Sequence, residues 1–222
     1  MIERYEVTPA ENSQSILGRW LPPLGLFLLI LMGWQALTSF GDIKPYLLPS
    51  PLAVARAGWV DGWTLLRAAY VTGQAALGGF LLSLVIGYSS AILFAQFPLA
   101  RRGVLPYAVF LQTVPMIAIA PLIITWLGPG QQSVVLISLI VSLFPIITTA
   151  TSGLLSVTDE LHDLFELYGA SSWQRLIKLS VPQSMPYVVA GAKTSAGLAV
   201  IGAIVGEFFA GNFSGSQGLG FV

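Results

Sequence analysis

Residues able to do acid–base, nucleophilic or metal chemistry are few in this chain of 222 residues. It has one histidine, His162, and no cysteine, which excludes disulfides and thiolate metal sites. His162 lies among the acids Asp159, Asp163 and Glu166. A metal ligand is one interpretation of His162. Metal sites usually need more convergent ligands than this, however, so a solvated loop histidine is the favoured interpretation. We therefore predict no metal site. The same scarcity argues against a membrane-embedded protease or lipid transferase, which needs a base beside a nucleophile or a metal cluster.

Nucleotide chemistry is not indicated either. Lys193-Thr194 follows Gly191-Ala192, and this spacing does not match the Gly-x-x-x-x-Gly-Lys-Ser/Thr phosphate loop. We expect no cofactor in this chain.

Four residues are candidates for a solute pathway. Glu207 is an acid inside an otherwise apolar run, where acids are costly and often functional; a structural carboxylate that reaches interfacial water is an equal alternative. Gln112 and Thr113 stand beside Pro115. Proline interrupts the helical hydrogen-bond ladder, and broken membrane helices often line substrate routes, although a kink that only shapes packing is also open.

A polar and charged segment, 156–186, lies between two apolar runs. Its first half predicts a short helix, which Ser156 or Thr158 caps and which carries acids in its first turn. An apolar stripe follows at helical spacing, and Gly169 is a stop signal; the stripe consists of Leu161, Leu164, Phe165 and Tyr168.

A second short helix is predicted from Ser171 or Ser172 to just before Pro182, because helix is disfavoured at the residue before proline. Its apolar side is formed by Trp173, Leu176 and Ile177. The pair is either a hairpin that lies on the bilayer or a docking element that inserts into a groove on a soluble partner.

The surrounding elements are membrane spans. The chain is 55% hydrophobic and 9% charged, with a mean hydropathy of +0.79, so lipid must cover its surface. We predict an all-α, polytopic membrane helical bundle over 21–222 with five spans; they cover about 21–40, 70–97, 104–127, 133–155 and 187–210. The zero net charge predicts no nucleic-acid partner.

The Lys/Arg distribution predicts a cytoplasmic N-terminus, including segment 1–20, and a cytoplasmic loop 156–186. Seven basic residues then lie inside, against three outside. The inner group is Arg4, Arg19, Arg101, Arg102, Arg175, Lys178 and Lys193, and the outer group is Lys44, Arg56 and Arg67. The N-terminus lacks the features of a signal peptide, so we expect the first span to be retained.

The segment 156–186 resembles the "EAA" loop of permease subunits of ATP-binding-cassette (ABC) importers. That pattern is Glu-Ala-Ala, three residues, Gly, nine residues, Ile, one residue, Leu-Pro. The matching positions are Asp163-Leu164-Phe165, Gly169 and Leu179-Ser180-Val181-Pro182, of which Gly and Pro are identical. The segments "YLLPSPLAVARA" and "GSQGLGFV" look like segments of the nitrate/sulfonate/taurine/bicarbonate-type permeases, and "QTVPMIAIAPLIITWLGPG" is most similar to a thiamin-pyrimidine or riboflavin-precursor subgroup.

This resemblance implies a type I importer fold in the inner (plasma) membrane with six spans, the last expected after residue 222. It implies a cytoplasmic ATPase subunit that binds ATP and Mg²⁺, a second permease copy expected to be identical, and an extracytoplasmic solute-binding protein. The expected ATPase-coupling residues are Asp163, Leu164, Phe165, Tyr168, Gly169, Leu179 and Pro182. An ATP-independent channel or scaffold is the remaining alternative.

Overall fold

The computed structural model describes residues 16–41, 43–211 and 218–222, and the chain forms two compact units, 1–62 and 63–222. The described residues form helices and connecting turns, with no strand among them. Residues 1–15 of the predicted cytoplasmic segment lie outside this described part, as do residues 212–217.

The first unit holds α1 (Ile16–Phe40) and α2 (Pro51–Val60). Pro22 and Pro23 lie inside α1, which begins at Ile16, six residues before the first of them. At α2, the Ser50 hydroxyl accepts a hydrogen bond from the Ala53 amide at 3.2 Å, and Pro51 occupies the first helical position. The serine side chain satisfies a backbone amide that has no intrahelical partner, and proline at the first position loses no intrahelical hydrogen bond, so both residues favour a helix start.

The second unit contains the longer helices and the polar segment. Its elements are α3 (Gly62–Gln96, which starts at the boundary), α4 (Pro98–Leu111), α5 (Met116–Leu127), α6 (Gln131–Leu154), α7 (Asp159–Leu167), α8 (Ser172–Arg175), a π-helical turn (Leu176–Ser180) and α9 (Val181–Ala210). In the described residues, four stretches are long and apolar enough to cross a membrane: Trp20–Phe40, Gly62–Gln96, Gln131–Leu154 and Ser172–Ala210.

The third predicted span, 104–127, is wrong as a continuous helix. The chain leaves the helix after α4 and re-enters it at Met116, so α5 is a shorter apolar helix of 12 residues. Pro115 has no amide hydrogen and disfavours helix at Val114, and it adopts an extended conformation with φ −62° and ψ 118°. Pro106 and Pro121, in contrast, lie inside α4 and α5.

The prediction that the second short helix ends before Pro182 is also wrong. Helix continues from Ser172 to Ala210, and the Val181 amide bonds to the Leu176 carbonyl across the π turn. In a regular α-helix the ring of Pro182 clashes with the carbonyl four residues back. The wider π turn just before it accommodates that ring, so the helix that contains the fifth predicted span begins well before residue 187.

Small residues allow the helices of the second unit to approach closely. A Cβ on Gly202 of α9 would lie 2.9 Å from the Ser138 Cα of α6, and a Cβ on Gly87 of α3 would lie 2.8 Å from Ile146 Cγ2. The Ser138 hydroxyl donates to the Ala199 carbonyl at 2.9 Å, and the Ser195 hydroxyl donates to the Ser142 carbonyl at 2.7 Å. Close backbones and interhelical hydrogen bonds replace the hydrophobic driving force that lipid removes.

Candidate functional site

The α7–α8 module, residues 159–175, begins with two acids in the first turn of α7, Asp159 and Glu160. Thr158 is the N-cap residue, but its side chain accepts no capping hydrogen bond. The backbone amide of Glu160, together with the Thr158 hydroxyl, holds the pKa of the Glu160 carboxyl below its ordinary value. An ionised carboxylate at this end stabilises α7 through its dipole.

The turn between α7 and α8 is built around Gly169. This residue has φ +72°, a left-handed conformation that side chains rarely adopt. The Ala170 amide donates to the Phe165 carbonyl at 2.9 Å, and the Gly169 amide donates to the Glu166 carbonyl at 2.8 Å. These two bonds form a Schellman motif, which satisfies the last carbonyls of α7. The stop predicted at Gly169 is confirmed.

A capping box starts α8. The Ser171 hydroxyl accepts from the Gln174 amide at 3.3 Å, and the Ser171 amide donates to Gln174 Oε1 at 2.8 Å. Arg175 donates to Glu166 Oε2 at 3.1 Å, which links the two helices. The module is therefore held by local hydrogen bonds at both sides of its turn.

An apolar groove of ≈ 400 Å³ lies between the two short helices. Three predicted coupling residues, Leu164, Phe165 and Tyr168, line it together. Sequence reasoning missed its other lining residues, Ala170, Gln174 and Lys178; the Ser-x-x-Gln pattern of the capping box was a signal for Gln174. Tyr168 is 82% exposed and Leu164 is 44% exposed, so the groove presents apolar surface outward.

The remaining predicted coupling residues lie outside the groove lining. Asp163 is exposed on α7, and Gly169 forms the turn itself. Leu179 is half-buried in the π turn, and Pro182 is exposed at the start of α9.

Leu176 anchors the module to the long helices. Its side chain is buried against Ala91 of α3 and against Ala150 and Leu154 of α6. Trp173 and Ile177, which the helical pattern placed on the same apolar side, are exposed instead. Of these three apolar residues, Leu176 packs against the long helices, whereas Trp173 and Ile177 face outward.

A second groove, of ≈ 370 Å³, forms where α4 and α5 separate. The predicted pathway residues Gln112, Thr113 and Pro115 line it together. Its other walls come from α5, α6 and α9, which sequence spacing alone did not connect to Gln112; they include Met116, Ile140, Val141, Phe144, Pro145 and Leu198. None of its described lining residues is charged. The groove offers amide and hydroxyl groups beside an apolar and aromatic wall.

The fourth predicted pathway residue, Glu207, does not line this groove. It is buried near the end of α9, where its Oε2 accepts a hydrogen bond from the Thr72 hydroxyl at 2.8 Å. The Gly220 amide donates to the same oxygen at 3.0 Å. A Cβ on Gly218 would overlap the carboxylate, so the turn at 218–222 must be built from glycine to pack here. Thr72 was missed because it lies 135 residues away in the chain.

Comparison with known proteins finds one family model and several relatives, all of which are membrane components of transport systems. The family described as "Binding-protein-dependent transport system inner membrane component" matches residues 79–220. The chain is 34% identical over 195 residues to the riboflavin transport system permease protein RibX of Chloroflexus aurantiacus, which covers 86% of this chain and 73% of that protein. It is 32% identical over 203 residues to the formylaminopyrimidine transport permease protein ThiX of Halalkalibacterium halodurans (90% and 79%). It is 28% identical over 221 residues to the bicarbonate transport system permease protein CmpB of a Synechocystis species (92% and 75%).

Proposed function

Since the chain belongs to the family of binding-protein-dependent transport system inner membrane components, we propose how it couples to its partners and which class of solute it carries. It is a multi-pass inner-membrane permease component of an ABC importer, and a transport component rather than an enzyme. Members of such systems work with an ATPase and a binding protein. Neither an embedded enzyme nor an ATP-independent channel has a specific observation in its favour.

The coupling proposal is that a separate ATPase subunit, which binds ATP and Mg²⁺, docks on the α7–α8 module. The observation that carries it is the outward-facing groove lined by Leu164, Phe165 and Tyr168. Short helices with exposed apolar anchors are a recurring way to fill a cleft on a partner protein. Lys178 lines the groove and Asp163 lies on the same short helix as Leu164. Charges at the rim of an interface orient the partner more than they raise its affinity. In this arrangement the module and the N-terminus face the cytoplasm.

Movement of the docked module reaches the membrane through a continuous helix. Residues 172–210 are helical without a break, so α8 and α9 are mechanically one element. Leu176 packs on α3 and α6 at the start of this element. When the ATPase subunits close, displacement of α8 therefore also moves α9, with Leu179 and Pro182 on the segment that transmits it.

Alanine substitutions in the groove test this docking. Tyr168→Ala removes an aromatic anchor of a kind that often dominates interfaces, so we expect its affinity for the purified ATPase subunit to fall by roughly tenfold or more. Leu167→Ala is the matched control, because Leu167 is 83% exposed but does not line the groove. Binding is measured with the permease in nanodiscs. Equal loss in both variants, or unchanged binding in Tyr168→Ala, contradicts the docking site.

The solute proposal is a small, neutral heterocycle that passes between two permease copies and is delivered by the external binding protein. The groove at Gln112, Thr113 and Pro115 supports it, because amide and hydroxyl groups recognise polar ring atoms while Phe144 and Leu198 contact an apolar face. No fixed charge in the described lining favours an anion. The names of relatives at 34% and 32% identity, for riboflavin and formylaminopyrimidine, point to the same class.

Uptake into proteoliposomes that contain the complete importer tests the pathway. Gln112→Ala should slow uptake while ATPase co-purification stays normal, whereas Gln132→Ala, at an exposed glutamine outside the groove, should not. Competition with riboflavin, a formylaminopyrimidine, bicarbonate and an alkanesulfonate identifies the solute class. Competition by the anions alone contradicts the neutral-solute proposal but leaves the permease assignment intact.

A further inference from the structure

The groove at Gln112 continues along one face of α6. Val141 and Pro145 line the groove. Thr148 and Ser152 follow them at the same alternating spacing of four and three residues, which keeps all four on one side of the helix. Thr148 is half-buried and Ser152 is exposed. This face therefore carries hydroxyl groups from the groove toward the α7–α8 module, which follows α6 in the chain.

A third hydroxyl comes from α9. Leu198 lines the groove, and Thr194, one helical turn before it on the same face, is exposed. A Cβ on Gly191 of α9 would lie 3.2 Å from the Thr149 Cβ of α6, so the two backbones approach closely at this level. Thr148 and Thr194 each lie within about one helical turn of that contact. Both helices thus extend the groove with hydroxyls at neighbouring heights.

Each of these hydroxyls uses its hydrogen within its own helix. Thr148 donates to the Phe144 carbonyl at 3.0 Å, and Ser152 donates to the Thr148 carbonyl at 3.0 Å. Thr194 donates to the Ala190 carbonyl at 3.3 Å. A hydroxyl has one hydrogen and two acceptor lone pairs. The three oxygens are therefore left to accept hydrogen bonds from a molecule beside them.

We propose that the solute leaves the groove along this hydroxyl row, Thr148, Ser152 and Thr194, and that the row favours solutes with N–H or O–H donors. The inference rests on the solute groove proposed above and extends it to the route beyond the groove. A polar solute that leaves water loses hydrogen bonds, and acceptors on the wall replace them. The two hydroxyls of α6 are about 6 Å apart along the helix axis, so a ring-sized solute reaches one before it leaves the other.

Single cysteine substitutions test whether the row faces a water-filled route, because the chain has no cysteine of its own. Thr148→Cys, Ser152→Cys and Thr194→Cys are placed one at a time in the complete importer in nanodiscs. A charged, membrane-impermeant methanethiosulfonate reagent is added, and mass spectrometry of this chain gives the labelling rate. Each variant should be labelled at least about tenfold faster than a lipid-facing thiol, because apolar surroundings disfavour the reactive thiolate.

Ser89→Cys is the matched control. Ser89 is exposed on α3, two residues after Gly87, so it lies about 200° around the helix from the contact of Gly87 with α6. A Cβ on Gly87 would lie 2.8 Å from Ile146 Cγ2, and Ala91 lies in the same core cluster as Ala150, so α3 and α6 run parallel. Ser89 is therefore at about the depth of the first hydroxyl of the row, but on another side of the bundle.

Valine substitutions test the hydroxyl oxygens themselves, since valine keeps the shape of threonine. In Thr148→Val and Thr194→Val, uptake of riboflavin or of the formylaminopyrimidine, whichever the competition assay selects, should fall by about three- to tenfold. ATPase co-purification should stay normal. Unchanged uptake in both variants overturns the role of the hydroxyls.

Labelling of the row no faster than that of Ser89→Cys overturns the route. Gln112→Cys, measured in the same way, separates the two levels of the proposal. If Gln112→Cys is labelled and the row is not, the groove stands and its continuation fails. If neither is labelled, the proposed solute groove fails as well.

Discussion

The turn at Gly169 permits a sharp test of how the module geometry controls coupling. Gly169 has φ +72°, and a Cβ built on it meets no atom within 4 Å. In Gly169→Ala the cost is therefore backbone strain alone, about 1–2 kcal/mol for an L-residue in the left-handed region. If the relaxed turn no longer presents the groove, the population able to bind falls by about 5–30-fold.

Gly128→Ala is the matched control. Gly128 has φ +83° and ψ 161°, a conformation that is essentially restricted to glycine, and its Cβ also meets nothing within 4 Å. Its strain is at least as large as that at Gly169. It lies before α6, however, and the 24 residues of that helix separate it from the module by about 36 Å.

The assay is the equilibrium affinity of each variant, in nanodiscs, for the purified ATPase subunit. Gly169→Ala should weaken binding by up to about 30-fold, while Gly169→Asn should be milder because asparagine tolerates the left-handed region. Gly128→Ala should bind like wild type. If Gly128→Ala loses as much affinity as Gly169→Ala, global destabilisation explains the loss and the local-turn reasoning is refuted.

Two further outcomes follow from the packing and the charges. Gly202→Ala should lower the free energy of unfolding by about 1–3 kcal/mol, because its Cβ would lie 2.9 Å from the Ser138 backbone. Gly197→Ala in the same helix should be neutral or stabilising, because its Cβ meets nothing within 4 Å. Thermal unfolding compares the two variants, and equal effects would contradict the close-packing account. The stabilisation of α7 by the Glu160 carboxylate should be complete above pH 4.5 and should disappear as pH falls through the lowered pKa of Glu160, because protonation removes the favoured charge. The measurement is the protection of the α7 amides from hydrogen exchange, relative to their intrinsic exchange rates. Protection that does not change with pH in wild type, or that still changes with pH in Glu160→Gln, would count against this prediction.

Local signals in the sequence predicted the parts of the molecule that depend on a few adjacent residues. The stop at Gly169 and the start of the second short helix at Ser171 or Ser172 are confirmed, because a left-handed turn and a capping box are each satisfied within four residues. The membrane class followed from composition, since too few charges are present to cover a water-exposed surface. Which residues contact solute or the ATPase stays a prediction.

Tertiary structure decided what depends on other helices. The π turn that carries helix past Pro182 is held by Leu176, whose partners lie on α3 and α6. Gln112 meets Phe144 and Leu198 only because the helices that carry them pack together. Glu207 could not be separated from a water-exposed acid until Thr72 and the turn at 218–222 were placed around it. Contacts between helices depend on residues that lie far apart in the sequence. The helical period shows only which residues share a face of one helix, and it does not specify which other helix that face contacts.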